Sequence, residues 1–246
     1  MTGKVEWLEP AWPAPPPVRV LSTLRTGGTS EGPYASLNLA AHVGDHSERV
    51  AANRRLLREA ATLPGEPLWL EQVHGTEVVE HGGRTEVPRA DAAIATRSGR
   101  VCAVMTADCL PVVLADRAGT RIGIAHAGWR GLAGGVVEAT IAALGCEPSE
   151  LLAWLGPAIG QEAFEVGPEV RAAFLRRSPV LGGCFAGNVR GRFQADLGGL
   201  ARLMLADAGV TSVHGGGACT ATDARRFFSY RRDGTTGRMA TLAWLA

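Results

Sequence analysis

The order of apolar and polar positions divides the chain into short strands and amphipathic helices. Residues 196–208 carry the clearest helical period. Leu197, Leu200, Ala201, Met204, Leu205 and Ala208 follow the spacing of one helix face, and Gly209 stands beyond them as a stop. Val50, Leu57 and Ala61 keep the same period in a helix running from Ser47, an N-capping residue type, to about Leu63. A third helix is predicted over 130–144, closed by Gly145, and a fourth from Pro168 to about Arg177. Apolar runs bounded by turn residues predict strands at 18–24, 68–73, 77–80, 92–96, 101–106, 112–116, 121–127, 152–155, 210–214 and 239–245. Turn signals fall at His74-Gly75, Gly82-Gly83, Ser98-Gly99 and Gly119, and the glycines at 215–217 predict a tight loop. Residues 178–192 read as loop.

Strands interleaved with helices predict an α/β chain. Its 246 residues fit one domain, and no repeat or change of composition marks a linker. The segment PAWPAPPP, 10–17, is too proline-rich for a helix or a central strand. The organisation expected is therefore an extended lead-in, 1–17, followed by a single domain, 18–246.

Charge alters little. The 25 Lys and Arg against 24 Asp and Glu leave a net charge of +1, which offers no electrostatic case for a nucleic-acid or membrane partner. The five cysteines form no CxxC pair, so a reducing compartment is expected. The first residues lack the apolar core of a signal peptide. The longest apolar stretch, 101–115, is broken by Thr106, Asp108 and Pro111 and falls short of the roughly 20 residues a membrane helix needs. A cytoplasmic protein is the expectation.

Candidate chemistry rests on soft metal ligands. Zinc favours Cys and His; a structural site closes with four protein ligands, while a catalytic site keeps three and an open position. No segment has a four-ligand finger pattern. His74, Cys109 and His126 each lie where a predicted strand meets a turn, but their separations of 35 and 17 residues match no local motif. Taken singly, a cysteine in an apolar stretch also fits the core, and a strand-end histidine also fits a hydrogen-bonded structural role. Spacing does not choose between these readings.

The ordered blocks WLEQVHGTEVV, ADAAIAT, VMTADCLPVVLAD and IAHAGWRGLAGGVVE resemble the YfiH family, also known as the laccase-domain or purine nucleoside phosphorylase YfiH family of polyphenol oxidoreductases. RTGGTSEGPYASLNL, HVGD, LGPAIG, FEVG, CTATD and FFSYRRDGTTGRMATL extend the resemblance across about residues 18–245. Leu24 stands where the family usually shows Thr, and Arg25 is kept. The resemblance implies an α/β (α+β) mixed-sheet sandwich flanked by helices, similar to the catalytic domains of cytotoxic necrotizing factors. It implies His74, Cys109 and His126 as ligands of one zinc ion, with copper as the other metal.

The implied activity is phosphorolysis of adenosine, inosine and S-methyl-5′-thioadenosine, with adenosine deamination beside it. The partners are then a purine nucleoside and phosphate, and the chain a monomer or homodimer. Polyphenol oxidation and peptidoglycan-precursor editing are the alternatives, with a non-enzymatic zinc module after them. Multi-copper oxidation would call for His-x-His pairs, and the sequence has none. For acid–base work the candidates are Asp108, beside Cys109, and Gln72, which shares a strand face with His74. Arg25, Arg130 and Asn38 are the candidates for holding phosphate or sugar. Cys109 carries two incompatible readings, because a thiolate bound to zinc is a poor free nucleophile.

Overall fold

The computed structural model describes residues 3–82 and 86–246, so the second glycine of the predicted Gly82-Gly83 turn lies outside the described residues. An antiparallel sheet holds β1 (Trp7–Leu8), β2 (Val18–Thr23), β5 (Cys102–Thr106) and β13 (Met239–Leu245) in the order β1-β2-β13-β5. A second sheet holds β3 (Val78–Glu80), β4 (Ala92–Ala95), β6 (Leu110–Asp116), β7 (Ile122–Ala127), β8 (Leu151–Leu155) and β12 (Ser212–Gly215). Its order is β12-β8-β6-β7-β4-β3. The two outer pairs are parallel and the inner pairs antiparallel, so the sheet is mixed. A small antiparallel sheet joins β9 (Glu165–Val166), β10 (Phe185–Gly187) and β11 (Phe193–Ala195).

The two larger sheets pack face to face and helices cover both outer faces. Every residue of β6 and β7 is buried, which is why both read as continuous apolar runs rather than alternating ones. Period two still divides the faces. Val113 and Ala115 meet Val18, Val104 and Ala243 of the opposing sheet. Val112 and Leu114 meet α3 (Val136–Leu144) and α5 (Leu197–Asp207). On the far side, Leu21, Met105 and Leu242 pack with Leu57 of α1 (Ser47–Ala60) and with Leu37 and Leu39. The result is a mixed α/β sandwich flanked by helices. No helix among the described residues is long and apolar enough to cross a membrane.

Several elements differ from the sequence reading. The helix expected over 130–144 is two, α2 (Trp129–Gly134) and α3, because Gly135 adopts a left-handed φ of 102° between them. The fourth helix, α4, is Pro168–Leu175. Residues 68–73 form no strand and make only the bridges Leu68–Cys102 and Glu71–Arg89. The Gln72 side chain takes over their pairing: Nε2 donates to Met105 O at 2.8 Å, and Met105 N–H donates to Oε1 at 2.7 Å. Ser47 lies inside α1 and His46 takes the cap position without a side-chain bond. Asp196, by contrast, caps α5 by accepting from Gly199 N–H at 2.8 Å. Within the expected loop 178–192, Phe185–Gly187 pairs with β11 as a hairpin. In the lead-in, Trp7–Leu8 pairs with β2.

Candidate metal centre

Two strand ends and one irregular segment converge at one place in the sandwich. His126 is the penultimate residue of β7, Cys109 precedes β6, and His74 follows the irregular 68–73 segment. Their ligand atoms lie within 4.8 Å of one another, and Cys109 Sγ is 3.8 Å from His74 Nε2. Bonds of about 2.0–2.3 Å to a tetrahedral ion would separate such atoms by roughly 3.4–3.6 Å, so the donor set fits one ion after a small contraction. Among the described residues it is the only such cluster of ligand groups.

Asp91, just before β4, organises two of the three groups. Its carboxylate is 0 % exposed and accepts from the backbone N–H groups of Val73, His74 and Gly75 at 3.1, 2.9 and 2.7 Å. Three successive donors around one carboxylate hold the chain in a tight turn, with His74 at the left-handed φ of 61°. Oδ1 of the same carboxylate lies 2.8 Å from Nδ1 of His126, which leaves Nε2 of that ring for a ligand.

Asp108 plays a parallel part for Cys109. It is buried with a φ of 95°, and its carboxylate accepts from Thr220 Oγ1 at 2.6 Å, Ser229 Oγ at 3.0 Å and Arg231 N–H at 2.6 Å. Its carbonyl accepts from Ile159 N–H at 2.9 Å. These bonds clamp the turn that presents the Cys109 thiol.

Electrostatics suit a metal-binding pair. Burial pushes the Cys109 thiol up, but the charge and hydrogen bonds of His126 and His74 outweigh it and leave the thiol at about 6. Burial pushes His126 down, while the Cys109 thiolate and Asp91 raise it to about 9. Without metal the two form a thiolate–imidazolium pair across neutral pH.

Gly128 provides the space for this arrangement. A Cβ there would stand 2.8 Å from Cys109 Sγ and 2.9 Å from His74 Cδ2. Gly128→Ala is therefore expected to keep the fold, as judged by circular dichroism, yet lower metal content per chain. Wild-type metal content in that variant would show the trio can move without loss of binding.

The trio opens on a cavity of about 520 Å³. Trp129, Phe164 and Tyr230 give it aromatic walls, and Arg130, Arg231, Arg238 and His42 give it polar ones. A narrower apolar recess of about 140 Å³, with Ile159 and Leu197, continues from it past Cys109. A groove of about 530 Å³ beneath Trp12 and Pro15 is as large but holds none of the trio, so ligand chemistry rather than size distinguishes the site.

The other residues singled out from sequence are distributed unevenly. Gln72 lines the cavity with its amide engaged by Met105. Arg130 lines it with its guanidinium 4.4 Å from the Trp129 ring centre. Arg25 and Asn38 lie outside its lining. Arg25 donates to Ala35 O and Ala224 O and stacks on Phe228, while Asn38 is 0 % exposed and hydrogen-bonds within its own loop. Sequence reasoning missed Asp91, His42, Trp129, Phe164, Tyr230 and Arg238. For Asp91 a signal existed: one carboxylate inside the apolar run ADAAIA needs a buried partner.

Fold and site together define a mixed α/β protein with a three-residue soft-ligand centre in the wall of an arginine- and aromatic-lined cavity. Residues 19–246 match the family described as multi-copper polyphenol oxidoreductase laccase, and the chain belongs to that family, which includes the YfiH proteins. It is 54% identical over 240 residues to a purine nucleoside phosphorylase of Pseudomonas aeruginosa, covering 97% of this chain and 98% of the relative. It is 51% identical over 237 residues to purine nucleoside phosphorylase YfiH of Escherichia coli, covering 96% and 97%. Among solved structures, Neisseria meningitidis protein NMB0706 superposes with a TM-score of 0.94 at 51% identity, over 97% of this chain and 98% of that one.

Proposed function

We propose that the protein is a zinc-dependent purine nucleoside phosphorylase. It would act on adenosine, inosine and S-methyl-5′-thioadenosine, with adenosine deamination as a second activity. One observation carries the reading: a single cavity combines the His74–Cys109–His126 group with aromatic walls and three arginines, none of them in an ion pair among the described residues. The names of the Pseudomonas and Escherichia relatives support it. A set of two imidazoles and one thiolate suits zinc, and a bound zinc ion supplies Lewis acidity while keeping a coordination position open.

In phosphorolysis a phosphate oxygen bonds to C1′ of the sugar and the bond from C1′ to the purine breaks. The base leaves with the electron pair and takes up a proton from the phosphate or from water, giving free base and ribose 1-phosphate, or 5-methylthioribose 1-phosphate from the thioadenosine. The aromatic side chains hold the flat base, and the enclosing walls limit the water that would turn phosphorolysis into hydrolysis. Arginine donors hold phosphate against the cation-like sugar of the transition state. Asp108, with its carboxylate engaged by three donors, serves to position Cys109, and Gln72 to fix the 72–74 segment against β5. Multi-copper oxidation is the weaker reading because it asks for several ligand clusters, and one is found among the described residues.

The test is purified, zinc-loaded protein with adenosine and phosphate, following adenine, inosine and ribose 1-phosphate by chromatography. Phosphate-dependent adenine release is expected. Absence of all three products would overturn the nucleoside reading.

A further inference from the structure

We propose that Arg238, with His42 beside it, forms the subsite for the phosphate co-substrate, taken up as a tetrahedral oxyanion. The inference rests on the phosphorylase reading and names a residue that the family resemblance did not supply.

The cavity's arginines differ chiefly in burial. Arg231 is exposed; it gives Nη1 to the carbonyls of Glu165 and Ala163 and reaches over Phe164, and among the described residues its Nε and Nη2 have no partner either. Arg130 is exposed, and among the described residues its guanidinium meets the Trp129 ring alone. Arg238 is half-buried and held rigidly. Nη1 donates to Thr236 O at 2.8 Å and Gly237 O at 3.1 Å, and the guanidinium lies 5.8 Å from the Tyr230 ring centre. Its Nε and Nη2 have no hydrogen-bond partner among the described residues, and no carboxylate stands within ion-pair distance there. Two N–H donors on a pre-set planar fork, partly withdrawn from water and without an ion-pair contact, are what an oxyanion binds bidentately.

The surroundings agree. Burial lowers the Arg238 pKa, while the charges of Cys109, Asp108, Tyr230 and Tyr34 raise it, so the guanidinium is within electrostatic reach of the metal-binding thiol. His42 lines the same cavity, and neither ring nitrogen has a partner among the described residues. Burial and the charges of Arg238 and Arg54 lower its pKa, which keeps the ring neutral at pH 7. A neutral imidazole offers one N–H donor and one acceptor, matching a phosphate that carries both anionic oxygens and an O–H.

The geometry also accounts for Asn38. Its Oδ1 accepts from Arg238 N–H at 3.0 Å, its Nδ2 donates to Asp45 at 2.9 Å, and its carbonyl accepts from Asn53 Nδ2 of α1 at 2.9 Å. Asn38 is thus a positioning residue: it fixes the backbone from which Arg238 reaches the cavity.

The experiment compares wild type with Arg238→Gln, Arg238→Lys and His42→Gln, each zinc-loaded and checked for metal content and melting. For Arg238→Gln the phosphate KM is expected to rise about 10- to 100-fold, the nucleoside KM to stay within about twofold, and Arg238→Lys to recover part of the loss. His42→Gln is expected to raise the phosphate KM about threefold or more. An unchanged phosphate KM, or equal rises in both KM values, would overturn the proposal. If Arg238→Gln does not fold, Arg238→Lys and His42→Gln decide on the same criteria.

Titration calorimetry of inorganic phosphate into the loaded protein separates this inference from the phosphorylase reading. Where the wild type shows no phosphorolysis, that reading fails. Phosphate binding lost in Arg238→Gln would still support the subsite, and absent or Arg238-independent binding would overturn it. Adenosine 5′-monophosphate is titrated alongside. Arg238-dependent binding of the nucleotide without binding of free phosphate would overturn the assignment to a free co-substrate.

Discussion

Cys109→Ala is expected to lose its bound metal and to lower turnover by more than about 100-fold. Removal of the thiolate leaves two imidazoles, His74 and His126, which hold zinc far more weakly than three donors do. It also removes the partner that raises the His126 pKa, so that ring is less protonated in the variant. Metal analysis after dialysis is the decisive measurement. Full metal content with lost turnover would make Cys109 a free nucleophile rather than a ligand.

The pH dependence of the wild type follows from the same pair. A ligand must lose its proton to bind metal. The thiol is already ionised above about 6, while His126 holds a proton up to about 9. Between those limits this pair releases one proton on metal uptake. Affinity should therefore rise about tenfold per pH unit across that window, level off above it, and fall more steeply below it. Metal titrations at several pH values read that slope, and a flat profile would contradict the ion pair.

Asp91→Asn is expected to cost about 3–5 kcal/mol of stability, because it breaks a buried charge pair and leaves backbone donors unmet. An amide can offer its oxygen to one side of the turn formed by Val73, His74 and Gly75, but its NH2 then faces a donor. For a chain of this size the melting temperature should fall by about 10 °C. Metal affinity should drop about 10- to 100-fold as the His126 ring and the His74 turn lose their support. Calorimetric melts with and without metal test both parts, and wild-type values for both would remove Asp91 from the organising role. Burial pushes the Asp91 carboxyl up, but the His126 and backbone hydrogen bonds prevail and hold it below its usual range. A depressed carboxylate stabilises the fold above the unfolded value of about 3.9, and that contribution is lost as pH falls below it. The substitution should accordingly matter least in acid.

Much of the fold is legible because burial leaves a local record. The all-apolar runs at 112–116 and 121–127 are strands covered on both faces, and the period over 196–208 is a helix with one covered face. The failures have equally local causes. Residues 68–73 have a strand-like pattern, yet the Gln72 side chain replaces the backbone ladder with β5. Gly135 divides a helix that apolar spacing alone joins together.

The residues around the centre were legible to different degrees. His74, Cys109 and His126 stood out through the blocks that surround them, since separations of 35 and 17 residues carry no geometric signal. Asn38 and Arg25 lie in a glycine-rich polar loop whose composition suggests ligand contact. Such a loop, folded inward, must first satisfy its own backbone groups, and Asn38 and Asn53 do so. Arg238 sits in a block noted for its resemblance, but nothing near it in sequence distinguishes it from Arg231 or Arg232.

The sequence by itself determined which segments are buried, the strand or helix type of most of them, and the presence of soft ligands where apolar segments meet turns. These are local properties, written in alternation, period and turn residues. Only the tertiary structure decided that the three ligand groups meet within 4.8 Å and that Asp91 serves two of them. It also decided that Arg238 rather than Arg25 faces the cavity. Those outcomes depend on the path of the whole chain and on which polar groups its folding leaves unsatisfied, and no local pattern encodes either.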